Sequence, residues 1–326
     1  MNSHPFDDLK PDRIIDAVEG CGVLCDGRLL ALNSYENRVY QVGIEEATPV
    51  IAKFYRPERW SDDQILEEHE FCFELAGHDL PVVAPWRDGN GRSLFRDGDF
   101  RFALYPRRGG HGPELDNLDN LHTLGKFLGR MHQVGAVRPF RHRPRIDVAS
   151  FGVESVAYIR EHFIPPDLAD AYDSLTRDLL GVIGEAMATL EETDFIRVHG
   201  DCHAGNILWR DDEPNFVDFD DARMAPAVQD LWMLLSGDRE RQTRQLAEVL
   251  DGYSQFRDFD PRQLRWIEAL RSLRMIYFSA WLARRWSDPA FPRAFPWFNS
   301  ARYWGEHILE LREQLGAFNE PPLRWL

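Results

Sequence analysis

The run Val198-His199-Gly200-Asp201-Cys202-His203-Ala204-Gly205-Asn206-Ile207-Leu208-Trp209 packs acid, amide, imidazole and glycine between apolar flanks. After a turn over Asp211–Asn215, a second acid cluster follows in Phe216-Val217-Asp218-Phe219-Asp220-Asp221. Carboxylates and amides amid apolar residues need partners. A surface turn with incidental acids accounts for the first run but not for the second. Phosphoryl transfer asks for this set. It needs a carboxylate that orients the attacking hydroxyl and takes its proton. It also needs hard oxygen donors for Mg²⁺, which takes one or two protein groups and fills the rest with phosphate and water. An Asp, an Asn five residues later and an Asp beyond a short hairpin supply a base at Asp201, a metal amide at Asn206 and a metal carboxylate at Asp218. Asp220 would share a face with Asp218 on extended backbone, where a second metal or a hydrogen bond would engage it.

Rival chemistries fit less well. His199, Asp201, Cys202 and His203 contain enough donors for zinc, but the chain has neither structural Cys/His pairs nor HExxH. A Cys202 nucleophile would have its thiol pKa raised by the adjacent acids, the wrong direction. No G-x-x-x-x-G-K-[ST] is present, so a P-loop is excluded.

The elements that must position these residues fall into two regions. A helix is expected over 12–22, then strands Gly27–Asn33, Arg38–Ile44 and Val50–Tyr55, rich in β-branched and aromatic residues. Residues 61–77 read as an amphipathic helix capped by Ser61 or Asp62, with Ile65, Leu66, His69, Phe73 and Leu75 near one face. Strands Ser93–Arg96 and Phe100–Tyr105 flank a turn at Asp97-Gly98-Asp99. The Gly/Pro-dense stretch Pro106–Pro113 marks a boundary. Beyond it the chain turns helical over Leu118–Gln133, Val153–Phe163, Ala169–Glu191, Val228–Ser236, Arg239–Tyr253, Pro261–Trp286 and Ala301–Leu315, around one strand-like island from Arg197 to Val217. The expectation is an α+β chain of two lobes. Residues 1–105 form a β-rich nucleotide-binding lobe, 106–113 a hinge and 114–326 a helical catalytic lobe, with the nucleotide between the two.

His199-x-Asp201-x₄-Asn206 with Asp218 resembles the catalytic loop and metal acid of the protein-kinase-like superfamily, closest to its aminoglycoside phosphotransferase and choline kinase branch. LNSYENRVYQ, KFYRPERW, DQILEEH, HGDCHAGNILWR and VQDLWMLL extend the similarity over most of the chain to the bacterial stress response kinase A family of serine/threonine protein kinases. The resemblance implies a bilobal protein-kinase-like fold using ATP and Mg²⁺. Lys53, on the strand Val50–Phe54, takes the place of the lysine that contacts the α- and β-phosphates. Its partner glutamate is expected on the next helix at Glu68, with Glu67 and Glu70 as alternatives. No glycine-rich phosphate loop is present; the resemblance places the nucleotide contact at Ser34, where a hydroxyl and turn N–H groups can hold phosphate. Phe102–Tyr105 is the expected hinge strand, with adenine near Leu104 and Pro106. Asp230 resembles the acid that buttresses the catalytic-loop backbone, and His132 reads as a satisfied core histidine.

The family implies protein substrates with Ser/Thr acceptors, autophosphorylation and a role in bacterial stress. A small-alcohol acceptor, such as an aminoglycoside, choline or homoserine, is the alternative, because fold and loop do not fix the acceptor. The aromatics Trp281, Trp286, Trp297, Phe298, Tyr303 and Trp304 could line a cationic site, but helical spacing makes core packing the simpler account. The segment between Asp218 and Asp230 is short for an activation loop. In the 326-residue chain 38 basic residues face 54 acidic ones, a net charge of −16 that opposes nucleic-acid binding. No run nears the ~18–20 apolar residues of a membrane helix, and the first residues lack a secretory pattern. Four cysteines without a CxxC pair read as free thiols of a reducing cytosol. A cytoplasmic monomer is the expectation.

Overall fold

In the computed structural model, which describes residues 4–325, Lys53 lies on the middle strand of an antiparallel sheet. The chain enters through α1 (Pro11–Glu19), then β1 (Cys25–Ala31), β2 (Arg38–Ile44), β3 (Val50–Phe54), α2 (Asp62–Gly77), β4 (Phe95–Asp97) and β5 (Phe100–Pro106), with sheet order β1-β2-β3-β5-β4. Val39 and Ala103 pair with Lys53 on the two sides. Strand alternation sorts the neighbours. Ala52 and Phe54 join Ile14, Val18, Val42, Phe102 and Leu104 in a core under α1, while Tyr55 and Ala103 pack with Ile65 of α2.

A capping box starts α2. The Ser61 side chain accepts from the Gln64 N–H, the Gln64 side chain accepts from the Ser61 N–H, and Asp62 and Asp63 fill the first turn. Its inner stripe is Ile65, Glu68, His69, Cys72 and Leu75. Ile65, His69 and Leu75 lie there as read from sequence, whereas Leu66 is 43 % exposed and Phe73 half-buried.

The helices that follow are α3 (Leu118–Gly135), α4 (Glu154–His162) and α5 (Ala169–Met187). The strand-like island resolves into β6 (Ile196–Val198), a hairpin of β7 (Ile207–Arg210) and β8 (Glu213–Phe216), and β9 (Arg223–Ala225), which pairs antiparallel with β6. Then come α6 (Val228–Trp232), α7 (Arg239–Tyr253), α8 (Ile267–Arg284), α9 (Ala290–Ala294) and α10 (Ala301–Ala317). Several expected helices shorten. Asp260 caps a 3₁₀ turn over Pro261–Trp266, so α8 starts only at Ile267, and a π-helical turn over Ala149–Val153 precedes α4. The elements α9 and β9 are too short to leave a periodic signal.

The chain folds into two compact units. One holds residues up to Glu114 with Phe140–Arg143 and Asp201–Ala222; the other holds Leu115–Pro139, Pro144–Gly200 and Arg223 onward. Within the first, Gly110 lies flat against β7: a Cβ there would meet Leu208 Cβ at 2.9 Å, and His111 exchanges main-chain hydrogen bonds with Trp209 at 3.2 and 2.7 Å. Within the second, α3 and α7 cross at glycine. A Cβ on Gly125 would come 2.0 Å from Val249 O, one on Gly129 2.5 Å from Tyr253 O, and one on Gly252 2.0 Å from His122 O. The C-terminal aromatics pack on one another, as with Trp286–Phe298 at 4.8 Å and Phe298–Trp304 at 5.3 Å between ring centroids. Phe298 and Trp304 are buried, whereas Trp281, Trp286 and Tyr303 are half-buried and Trp297 is 48 % exposed. All four cysteines are free thiols.

Candidate active site

Asp201 begins a tight loop. Gly200 before it has φ +84°, which an L side chain rarely adopts. The Asp201 carbonyl accepts from His203 N–H at 2.9 Å and from Asn206 Nδ2 at 2.9 Å, and the Asn206 N–H donates to His203 O at 2.9 Å. The Asn206 amide NH₂ is therefore spent inside the loop, which leaves its Oδ1 for a ligand. His203 Nδ1 accepts from Gly205 N–H, and its Nε2 stands 3.4 Å from Asp201 Oδ2.

The hairpin returns the chain to the loop. Asp211 and Asp212 both have positive φ, 53° and 61°, the signature of a two-residue type I′ turn that matches strand twist. Ile207 pairs with Phe216, and Val217 N–H then donates to Asn206 O at 3.0 Å. Asp218, the next residue, is thereby delivered beside Asn206. It is held in the left-handed region at φ 59°, ψ 63°, a conformation uncommon outside Gly, Asn and Asp that clusters at functional sites.

Lys53 reaches this acid. Its Nζ donates to Asp218 Oδ1 at 2.8 Å and stands 3.2 Å from Asp220 Oδ1. Among the described residues it forms no ion pair with Glu68, whose ionic contact is Arg143 at 3.6 Å. Of the alternatives, Glu67 accepts the main-chain N–H groups of Arg141, His142 and Arg143 at 2.5, 2.9 and 2.9 Å, and Glu70 meets Arg87 at 3.3 Å. Both are engaged elsewhere, so Glu68 is the glutamate of the three whose charge acts on Lys53. Ser34 is half-buried in the β1–β2 connection, its Oγ donating to Asn37 O at 3.2 Å. On β5, the Leu104 carbonyl is taken by Trp86 N–H at 2.6 Å.

Three arginines escaped the sequence reading. Arg59 touches Asp220 at 2.8 Å, Asp221 at 2.7 Å and Glu36 at 3.5 Å, and Arg56 meets Glu36 at 3.1 Å. Arg143 reaches the Asp220 main chain from a distant segment. Their one sequence signal is placement: Arg56 and Arg59 in the KFYRPERW run, Arg143 in a basic stretch of an acidic chain.

The electrostatics follow the contacts. Burial pushes the Asp220 carboxyl up, but Arg59 and then Lys53 outweigh it and hold the pKa down at about 2. Glu68 is as buried, yet its nearest cation is farther off, and burial pushes it up to about 7 against the pull of Lys53 and Arg143. Burial alone would make Lys53 easier to deprotonate; Asp218, Asp220 and Glu68 reverse this and keep it protonated. Behind them, His69 bonds to Tyr55 OH at 2.7 Å and Ser93 Oγ at 2.9 Å, and burial pulls its pKa down to about 3, so it is a neutral support.

The donor set suits Mg²⁺. Asn206 offers an amide oxygen and Asp218 a half-exposed carboxylate, and an ion of this kind completes its shell with phosphate and water. Among the described residues no three His, Cys, Asp or Glu converge as a metal cage. Cys202 is buried and unsuited to be a nucleophile.

In the second unit, Asp230 holds the backbone that precedes Asp201. Its Oδ2 accepts from His199 N–H at 2.8 Å and from His132 Nε2 at 3.0 Å, and its Oδ1 accepts from Gly200 N–H at 2.9 Å. His132 Nδ1 then accepts from Tyr253 OH at 3.1 Å. Every member but Gly200 is buried. Asp230→Ala would leave two main-chain donors and an imidazole without their acceptor, so unfolding stability measured in urea is expected to fall by about 2–5 kcal/mol. A loss below ~0.5 kcal/mol, the level of an ordinary surface change, would contradict the buttress.

These elements define a kinase-like phosphotransferase architecture: an antiparallel sheet carrying the lysine, and an Asp–Asn loop returned by a hairpin to a second Asp. A sequence model of the phosphotransferase enzyme family matches residues 28–267, and the chain belongs to that family. Within it the chain is similar to stress response kinase A of Escherichia coli strain K12, 45 % identical over 320 residues that cover 98 % of this chain and 96 % of that one. It is likewise 45 % identical over 326 residues to the serine/threonine protein kinase RdoA of Salmonella typhimurium LT2, covering 99 % and 98 %. Solved structures share the fold. Amicoumacin kinase in complex with AMP-PNP and Ca²⁺ superposes with a TM-score of 0.73 at 20 % identity, covering 94 % of this chain and 93 % of its own. The microcompartment-associated aminopropanol kinase gives 0.68 at 18 %, covering 92 % and 94 %. The chain is thus an enzyme of the phosphotransferase class.

Proposed function

We propose that this chain transfers the γ-phosphoryl group of ATP, with Mg²⁺, to Ser and Thr hydroxyls of proteins, itself included, as part of a bacterial stress response. The observation that supports it most is the joint placement of Asp201, Asn206, Asp218 and Lys53, in a chain 45 % identical over its length to kinases named for serine/threonine and stress. Bound Mg²⁺–ATP supplies the activated phosphoryl group. Asn206 Oδ1 and the Asp218 carboxylate hold the metal, and Ser34 with its turn contacts phosphate. Lys53, backed by Glu68, leaves Asp218 for the α- and β-phosphate oxygens. Asp201 accepts the proton of the acceptor hydroxyl as its oxygen attacks. Positioning and charge neutralisation carry the rate.

In this reading residues 1–105 serve the nucleotide, 106–113 connect and 114–326 serve catalysis. The protein works as a cytoplasmic monomer on protein partners, without nucleic acid or membrane. Among the described residues no helix is long and apolar enough to cross a membrane. The test is incubation with γ-labelled ATP alone, with a generic protein, and with aminoglycosides, choline and homoserine. Label on this chain and on protein Ser/Thr is expected. Label on a small alcohol alone would replace the protein acceptor with the alternative.

A further inference from the structure

Residues Phe140–Arg143 belong to the first unit although the chain on both sides belongs to the second. The residue that gains most from this placement is Arg143. Its side chain is fully buried, and each edge of its guanidinium reads a different segment. Toward α2, Nη1 donates to Gln64 O at 3.0 Å and faces Glu68 at 3.6 Å, with Cζ 4.5 Å from the centroid of the Trp60 ring. Toward the metal acid, Nε donates to Ala222 O at 2.6 Å and Nη2 to Asp220 O. The main chain is fixed as well, by Glu67 on three N–H groups and by Gln64 Nε2 on His142 O at 3.0 Å. Asp218 therefore sits between two clamps. Upstream, Val217 is tied to Asn206; downstream, Asp220 and Ala222 are tied to Arg143.

We propose that Arg143 is a positioning residue, a fork that locks α2 and Glu68 to the Asp218–Ala222 segment and so sets the Asp218 carboxylate for its metal. A lysine keeps the charge but lacks the planar fork that serves both segments at once. The proposal rests on the reading of Asp218 as a metal-holding acid. Replacing an outer partner of a ligand typically costs about 10–100-fold in metal affinity.

The test uses the full chain as Arg143→Lys and Arg143→Ala. Glu67→Ala, which loosens the same loop without touching Asp220 or Ala222, is the comparison. Three readouts are needed: the Mg²⁺ dependence of AMP-PNP binding by calorimetry, kcat against KM for ATP and acceptor, and Tm. In Arg143→Lys the Mg²⁺ for half-maximal AMP-PNP binding is expected to rise about tenfold or more, with kcat reduced and acceptor KM held. Glu67→Ala is expected to lower Tm with the Mg²⁺ midpoint in place. Unchanged Mg²⁺ midpoints in a folded Arg143 variant would overturn the proposal. So would equal midpoint shifts in Glu67→Ala, or failure of both Arg143 variants to fold, since Arg143 would then act through loop order or folding. A wild-type chain that binds AMP-PNP without regard to Mg²⁺ would instead sink the reading of Asp218 itself.

Discussion

Asp201→Asn is expected to lower phosphoryl transfer by about 10²–10⁴-fold, the range over which a positioned general base contributes, equivalent to about 3–5 kcal/mol of transition-state stabilisation. The change is nearly isosteric and removes only the capacity to accept a proton. The loop should survive it, because Asn206 Nδ2 and His203 N–H each donate to the main-chain carbonyl of Asp201 at 2.9 Å, while their contacts to its carboxylate, 3.5 Å from Asn206 Nδ2 and 3.4 Å from His203 Nε2, are longer. Nucleotide affinity and Tm should therefore stay near wild type, while single-turnover transfer from labelled ATP collapses. Near wild-type turnover in this variant would remove Asp201 from the proposed chemistry.

The second large effect is expected at Asp218, where Asn is the informative replacement. Asn tolerates the left-handed backbone at φ 59°; Ala there would add about 1–2 kcal/mol of conformational strain and blur the result. The lost charge should cost little stability, about 1 kcal/mol or less, because the Asp218 side chain is half exposed and Lys53 keeps Asp220 at 3.2 Å. Metal response is another matter. The Mg²⁺ concentration that supports nucleotide binding should rise by more than the about 10–100-fold that loss of a mere outer partner costs. A Mg²⁺ titration that superposes on wild type would contradict the assignment.

The pieces of the site that a local rule governs could be read from the chain. Asp201, Asn206 and Asp218 are brought together by one loop and one two-residue hairpin, so their spacing carries their geometry. Lys53 meets Asp218 across 165 residues and is placed by the family resemblance of its strand, Val50-Ile51-Ala52-Lys53-Phe54, not by a local rule. The arginines could not be read from the chain. Arg59 meets Asp221 across 162 residues and Arg143 meets Ala222 across 79, and no periodicity links such positions. The choice among Glu67, Glu68 and Glu70 was open for a related reason. The buried stripe of α2 mixes Glu68 and His69 with Ile65 and Cys72, while Leu66 lies outside. An apolar-face argument therefore finds Ile65, His69 and Leu75 but misses Glu68, because it has no place for charge on an inner face. The Gly/Pro run 106–113 reads as a boundary and hinge, but not its packing against β7, because the strand edge that Gly110 touches lies far along the chain.

The glycine crossing of α3 and α7 has a bearing on how this enzyme can vary. Gly129 presses on the main chain of Tyr253, whose hydroxyl meets His132, which meets Asp230, which holds the amides of His199 and Gly200. The depth of that relay is set where two backbones touch, a hard stop with no side chain to compress. Core residues around it can be exchanged for others of similar volume at modest cost. The glycines at the stop have no such substitutes. The datum from which the loop before Asp201 is hung is thus a surface of bare backbone, which drift in the surrounding core would leave in place.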